Sequence, residues 1–179
     1  MTKTDQFQRQ QIGRAKNAIL RFFERRLSVP KIYIDAEWSG NHVDVLAIDR
    51  DGVGDVHTAL LFAREYFDHG LLNIVEEGND LKDNLERSWG IPAQFKYICV
   101  ADILPDGRFR HQDIDVERFN QQNLAEDGLG RIGLIHISIP GTDDPIIKVL
   151  ITPERFRAHI AKLADEYVLQ HQPDAETRA

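Results

Sequence analysis

Three short β-rich runs that follow one another closely constrain the fold of this chain more than any other feature. They span residues 31–38, 42–49 and 55–62, and the separators are Ser39-Gly40-Asn41 and a Gly- and Asp-rich segment at 50–54. Gly and Asn accept the positive φ angles that tight hairpin turns need, and short runs flanked by such turns are typical of paired strands. The pattern therefore predicts a three-stranded antiparallel meander.

Helical and strand patterns surround this meander. Residues 4–27 carry apolar side chains at steps of three and four, which predicts a first helix. The later elements are a helix from Asn79 or Asp80 to Trp89, a strand at 95–104, a helix at 116–126, strands at 131–139 and 146–151, and a last helix with Pro153 in its first turn. The order α-β-β-β-α-β-α-β-β-α predicts one α/β domain over residues 1–171, with a mixed sheet flanked by helices and a flexible tail at 172–179.

Composition places the chain in a broad class. No apolar run approaches the roughly 18 to 20 residues that span a bilayer, and the first thirty residues are charged, so we expect a cytoplasmic protein with no membrane partner. The single cysteine, Cys99, lies in the apolar run Tyr97–Ala101 and is expected to fill core.

Charge is distributed unevenly along the chain. The net charge is −7, yet residues 1–31 carry eight cations and two acids, a local charge of +6. Nucleic-acid affinity rests largely on neutralisation of phosphates by Lys and Arg, so the overall charge argues against a generic polyanion binder. The first helix is the exception: Arg9, Lys16, Arg21 and Arg25 are its candidate DNA or RNA contacts. The alternative is that this helix docks on the acidic remainder of the chain.

Several chemical motifs are absent. The seven histidines show no HxH or HxxxH spacing of a zinc site, and neither a P-loop nor a nucleophile elbow is present. The segment 128–133 contains three glycines but enters a strand rather than a helix, which does not fit a dinucleotide fingerprint. These absences weaken NTPase, serine hydrolase and NAD-enzyme interpretations.

The element order resembles the core of the PD-(D/E)XK nuclease superfamily, which includes restriction endonucleases and resolvases. The similarity covers about residues 5–140 and includes Ile34-Asp35-Ala36-Glu37-Trp38 followed by a strand with Asp44, and the Gly-rich strand entry at 128–135. The resemblance implies a restriction endonuclease-like fold, Glu37 and Asp44 as ligands, and Mg²⁺ or Mn²⁺ as the cation. Such a cation activates water and neutralises charge in phosphodiester hydrolysis.

The third strand departs from the family pattern. In the family it supplies a second acid and, two residues later, a Lys, both facing the same way because side chains alternate along a strand. Here residues 55–62 offer no such pair, and the chain has no Lys between Lys31 and Lys82. We therefore expect a degenerate nuclease centre in a nucleic-acid-associated binding or regulatory module.

Two other functions stay open from the sequence. One is a divalent-metal-dependent nuclease with a rearranged centre, built from Glu37 and Asp44 together with His57 or, alternatively, Asp55 or Glu65. The other is an acidic α/β interaction domain with no nucleic-acid role.

Overall fold

The structure is a computed structural model that describes residues 3–50, 55–66, 72–74, 81–104, 114, 116–123, 130–140 and 144–176. The helices are α1 (Lys3–Arg26), α2 (Leu81–Gly90), α3 (Val116–Gln122) and α4 (Ala161–Gln170). The strands are β1 (Pro30–Trp38), β2 (Asn41–Asp49), β3 (Val56–Tyr66), β4 (Leu72–Ile74), β5 (Phe95–Leu104), β6 (Gly133–Pro140), β7 (Ile146–Ile151) and β8 (Ala175–Glu176). The predicted N-cap at Asn79 or Asp80 and the predicted turn residues 51–54 and 105–107 lie outside the described residues.

One mixed sheet organises the fold, with the strand order β7-β6-β5-β3-β2-β1-β8 and β4 paired to the far end of β3. β1, β2 and β3 form the predicted antiparallel meander. β5 runs parallel to β3, β6 runs parallel to β5, and β7 returns antiparallel to β6. The prediction of a single α/β domain with a mixed sheet is confirmed.

Helices cover both faces of the sheet, which explains why its central strands are mostly apolar. α1 packs on one face through Ala15, Ile19 and Phe23, over a layer that includes the buried Cys99. The other face is covered by side chains from α2, α3 and α4, among them Leu85, Phe119 and Tyr167. No helix within the described ranges is long and apolar enough to cross a membrane.

The last helix begins later than predicted. α4 starts at Ala161, whereas residues 152–160 form no helix. This segment instead lies across the entry to β6: a Cβ at Gly130 would be 2.6 Å from the Phe156 ring, and one at Gly133 would be 2.8 Å from Pro153 Cδ. The Phe156 N–H also donates to the carbonyl of Gln94 at 2.7 Å. Packing on β6 therefore outweighs the helix-starting tendency of proline.

Two short strands were not predicted, β4 and β8. β8 pairs with β1, and Asp174 precedes it, accepting a hydrogen bond from the Ile34 N–H at 2.7 Å and donating its own N–H to the Ile32 carbonyl at 2.8 Å. Residues 172–176 are thus held at the edge of the sheet, where a flexible tail was expected.

Candidate functional site: an ion cluster and a basic groove

Two aspartates face each other across β1 and β2. The register pairs Ile34 with Val45 and Ala36 with Val43, which places Asp35 opposite Asp44. Asp35 has a φ of +52°, a left-handed conformation that Asp tolerates better than most side chains.

Both strands lose strict alternation at this position. Tyr33 and Ala36, three residues apart on β1, belong to the same core layer, and so do Val43 and Leu46 on β2. Side chains three apart in a regular strand would point to opposite faces. The interruption turns the two intervening carboxylates toward α1.

Lys16 of α1 and His42 complete what we call the ion cluster, the residues Lys16, Asp35, His42 and Asp44. The Lys16 ammonium lies 2.6 Å from Asp35 Oδ1 and 3.6 Å from Asp44 Oδ1. His42 Nε2 is 3.6 Å from Asp35 Oδ1 and 3.5 Å from Asp44 Oδ1. Asp44 uses its other oxygen to accept the Leu61 N–H at 2.7 Å. Asp44 is therefore fixed to β3 by one oxygen and presents the other to Lys16 and His42.

The ion cluster borders a small cavity of about 190 Å³ whose lining residues come from α1, β2, β3 and α2: Ile12, Lys16, His42, Asp44, Leu61, Ala63 and Arg87. One ligand atom from each of Asp35, His42 and Asp44 lies within 4.8 Å of the others. Two carboxylates and an imidazole suit a divalent cation such as Mn²⁺ or Zn²⁺. In the structure the positive charge between the carboxylates is the Lys16 ammonium.

Glu37, expected to be the partner of Asp44, lies outside this three-residue group. Its register partner is His42, its Oε1 is 3.5 Å from His42 Nδ1, and its side chain is 74% exposed. Sequence reasoning overlooked Asp35 and His42 as members of the site. The sequence carries no clear signal of the break at Asp35, because the apolar residues at positions 32, 34, 36 and 38 alternate regularly.

His57, the expected third catalytic residue, is a core residue. It pairs with Ala47, three positions along β2 from Asp44, and its ring stacks on Phe95 with the centroids 4.7 Å apart. Burial disfavours the charged ring and lowers the pKa of His57 to about 4, although Asp55 and Asp49 act in the opposite direction. His57 therefore packs against Phe95 and does not belong to the ion cluster.

The other expected third members do not join the ion cluster either. Asp55 accepts a hydrogen bond from Arg155 at 2.9 Å. The side chain of Glu65 lies outside the described residues.

Arg64, next to the cavity-lining Ala63, belongs to a separate set that we call the buried network, Arg64, Asp102 and His136. Arg64 donates two hydrogen bonds to the Asp102 carboxylate, at 2.6 and 2.9 Å, and His136 Nε2 lies 2.6 Å from Asp102 Oδ2. Burial by itself would raise the pKa of Asp102, but hydrogen bonds from His136 and Arg64 outweigh it and hold the pKa below its ordinary value. The network ties β3, β5 and β6 together.

A second cavity, which we call the basic groove, lies on the flank of α1 opposite the ion cluster. It runs between this helix and β7 and has a volume of about 850 Å³. Its cations are Arg14, Arg21, Arg25, Arg26 and Lys148. Its apolar lining includes Phe22, Ile147 and Val149, all partly buried. The Arg26 guanidinium lies 4.5 Å from the centroid of the Phe22 ring. The groove thus combines a concentration of positive charge with an apolar floor.

The four expected nucleic-acid contacts on α1 are divided between these regions. Arg21 and Arg25, four residues apart, line the basic groove. Lys16 lies in the ion cluster, and Arg9 is exposed without lining either cavity. Helical geometry explains the division, because positions 14, 21 and 25 share a flank that position 16 does not.

Comparison with known proteins adds no relative. No family model, curated protein sequence or solved structure matches this chain.

Proposed function

We propose that this chain is a nucleic-acid-binding module with a restriction endonuclease-like fold and a degenerate nuclease centre. The observation that carries the binding function is the basic groove, which gathers five cations on a chain whose net charge is −7. Phosphate neutralisation supplies most of the affinity of such modules, so a local concentration of Lys and Arg matters more than the total charge.

The strand arrangement supports the fold assignment. The resemblance implies the order helix, three-strand meander, helix, strand, helix and strand, and we expect the strand at 95–104 to lie in the same sheet beside the meander. In this chain β5 lies parallel to β3, β6 follows beside β5, and α1 precedes the meander.

The lining of the small cavity supports a degenerate centre. Leu61 and Ala63 are two residues apart on β3 and border the same cavity as Asp44. In the family, two residues with this spacing on the third strand are an acid and a Lys. Both residues are apolar here. Lys16 approaches from α1 instead, where it pairs with the carboxylates.

Fluorescence anisotropy with labelled DNA and RNA oligonucleotides tests the binding function. We expect Arg21→Gln/Arg25→Gln to weaken binding and to reduce the slope of log K against log salt by about 1.4 for single strands or about 1.8 for duplexes. The matched control is Arg9→Gln/Lys162→Gln, which removes the same two charges from exposed positions outside the basic groove.

Equal losses in the two double variants would contradict the groove as the binding surface. Absence of binding to any nucleic acid at low salt would contradict the function and favour the acidic interaction domain.

A second candidate function is divalent-metal-dependent phosphodiester hydrolysis, favoured by the convergence of Asp35, His42 and Asp44. A cation held there would polarise a phosphoryl oxygen and activate water. For the degenerate centre we expect little or no DNA cleavage with Mg²⁺ or Mn²⁺. Robust cleavage that is lost in both Asp44→Asn and His42→Ala, but retained in Glu37→Gln, would establish the second candidate instead.

A further inference from the structure

We infer that the basic groove takes single-stranded nucleic acid in preference to duplex. This inference rests on the nucleic-acid binding proposed above and specifies the form of its ligand. The observations that carry it are the concave shape of the groove, the nature of its floor and the arrangement of its cations.

The floor of the groove is suited to bases rather than to phosphates. Phe22, Ile147 and Val149 offer partly buried apolar surface between the cations. A duplex keeps the faces of its bases inside the stack and would present only sugar and phosphate to this surface. The bases of a single strand are free to turn toward aromatic and apolar side chains, and such stacking tolerates any base sequence.

Phe22 and Arg26 form a small stacking platform within the groove. The guanidinium of Arg26 lies 4.5 Å from the Phe22 ring centroid, and the rings of Phe22 and Tyr97 form a T-shaped pair with centroids 6.0 Å apart. Arg planes and aromatic rings are both surfaces on which unpaired bases stack.

The cations are placed to follow a backbone rather than to hold one anion. Arg14, Arg21 and Arg25 span about 16 Å of α1 at 1.5 Å per residue, which is too long for a single phosphate. Lys148 of β7 also lines the groove. Within the described part of the chain, Arg21, Arg25 and Lys148 form no ion pair with an acidic side chain, although Asp144 lines the same groove.

The size of the groove limits what enters it. A volume of about 850 Å³ is within the range of pockets that enclose small ligands, so the groove accommodates roughly one or two nucleotides at a time. Flanking phosphates would remain at its rim, in reach of the arginines.

The test compares three labelled probes of equal length by anisotropy: an oligo(dT) strand, a duplex, and an abasic strand that keeps the phosphates but lacks bases. We expect oligo(dT) to bind at least about tenfold more tightly than the abasic strand, since one stacked base supplies an effect of that size. Phe22→Leu, which preserves an apolar side chain, should reduce this difference while leaving abasic binding unchanged. Circular dichroism checks that the variant is folded.

The possible outcomes distinguish failure of the single-strand inference from failure of the proposed function. Equal affinity for the abasic strand and oligo(dT), or tighter binding of the duplex, overturns the single-strand inference and leaves nucleic-acid binding intact. Absence of binding to all three probes overturns the proposed function itself. Polyglutamate binding as tight as oligo(dT) also overturns the inference, because the groove would then recognise charge alone.

Discussion

The ion cluster and the buried network use the same chemical groups in opposite surroundings. Each combines aspartate, histidine and a cationic side chain. Asp102 has no exposed side-chain surface and is held by contacts of 2.6 to 2.9 Å, whereas the Asp35 side chain is 53% exposed and three of the contacts in its cluster are 3.5 to 3.6 Å. The comparison indicates that one set is fixed by the fold and that the other is able to exchange its cation.

The positively charged side chains of the two sets also differ in how firmly they are held by the carboxylates. Arg64 engages Asp102 through two parallel hydrogen bonds from one planar group. Lys16 is a point charge on a flexible stem and contacts two carboxylates unequally. A bidentate arginine pair is geometrically specific, whereas a lysine ammonium is readily replaced by another compact cation.

The largest effect is expected from removing the carboxylate of the buried network. Asp102→Ala removes the buried carboxylate that accepts two hydrogen bonds from Arg64, and we expect it to lower the free energy of unfolding by about 3–5 kcal/mol. The corresponding change in the ion cluster, Asp35→Asn, removes the charge, retains a side chain that tolerates positive φ, and should cost less than about 1 kcal/mol because the site is exposed. Urea unfolding of both variants measures the contrast, and equal costs would contradict it.

The buried network should also contribute to acid sensitivity. The folded-state pKa of Asp102 lies below its ordinary value of 3.8, so its stabilisation is complete above that value and is lost as the pH falls through the folded-state pKa. We expect the difference in free energy of unfolding between the wild type and Asp102→Asn to become smaller as the pH falls below 3.8, the ordinary pKa of this carboxyl. Unfolding free energies measured across this range check the sign, and a difference that does not change with pH would disprove the assignment.

Replacement of the cation distinguishes the two sets most directly. Lys16→Met leaves Asp35 and Asp44 facing each other, which we expect to destabilise the fold by up to about 1 kcal/mol. Mn²⁺ at ten times its Kd should raise the free energy of unfolding of this variant by about 1.4 kcal/mol. Arg64→Met should gain nothing from the ion, because the Asp102 carboxylate is inaccessible to solvent. Thermal melts of both variants with and without Mn²⁺ test this prediction. If Mn²⁺ stabilised both variants, or neither of them, the ion cluster and the buried network would not differ in their ability to exchange a cation.

Most strands were predictable because local patterns determine them. β5 and β7 have the predicted boundaries, since an apolar run or an alternating run between turn residues is sufficient to define a strand. The start of α4 was not predictable in this way. Its true position depends on Pro153 and Phe156 packing against glycines that lie 20 and 26 residues earlier in the chain, and no local pattern reports that contact.

The candidate site was only partly predictable for a related reason. Asp44 was predicted as a site residue from its place on the second strand of the meander. Asp35 and His42 depend on a local loss of alternation, which is stabilised by distant packing: Tyr33 and Trp38 both contact Tyr167 of α4, with ring centroids 5.0 and 5.4 Å apart. A strand treated as regular assigns Glu37 the role that the folded chain gives to its neighbours.

The smallest effect is expected from Mg²⁺ or Mn²⁺ on the wild-type protein. Lys16 already supplies one positive charge to the two carboxylates, so the stabilisation should remain below the roughly 1.4 kcal/mol that full access would give at ten times Kd. Asp44→Asn should erase this effect while preserving the fold, because the amide oxygen can still accept the Leu61 N–H.

Glu37→Gln is the control for that measurement, since it makes the same change of charge at an exposed position outside the three-residue group. We expect it to leave the small ion-dependent shift in melting temperature unchanged, whereas His42→Ala should abolish the shift. If Glu37→Gln abolished the shift and His42→Ala did not, the cation would bind between Glu37 and Asp44, as the family resemblance implies, and Asp35 and His42 would have only a structural role.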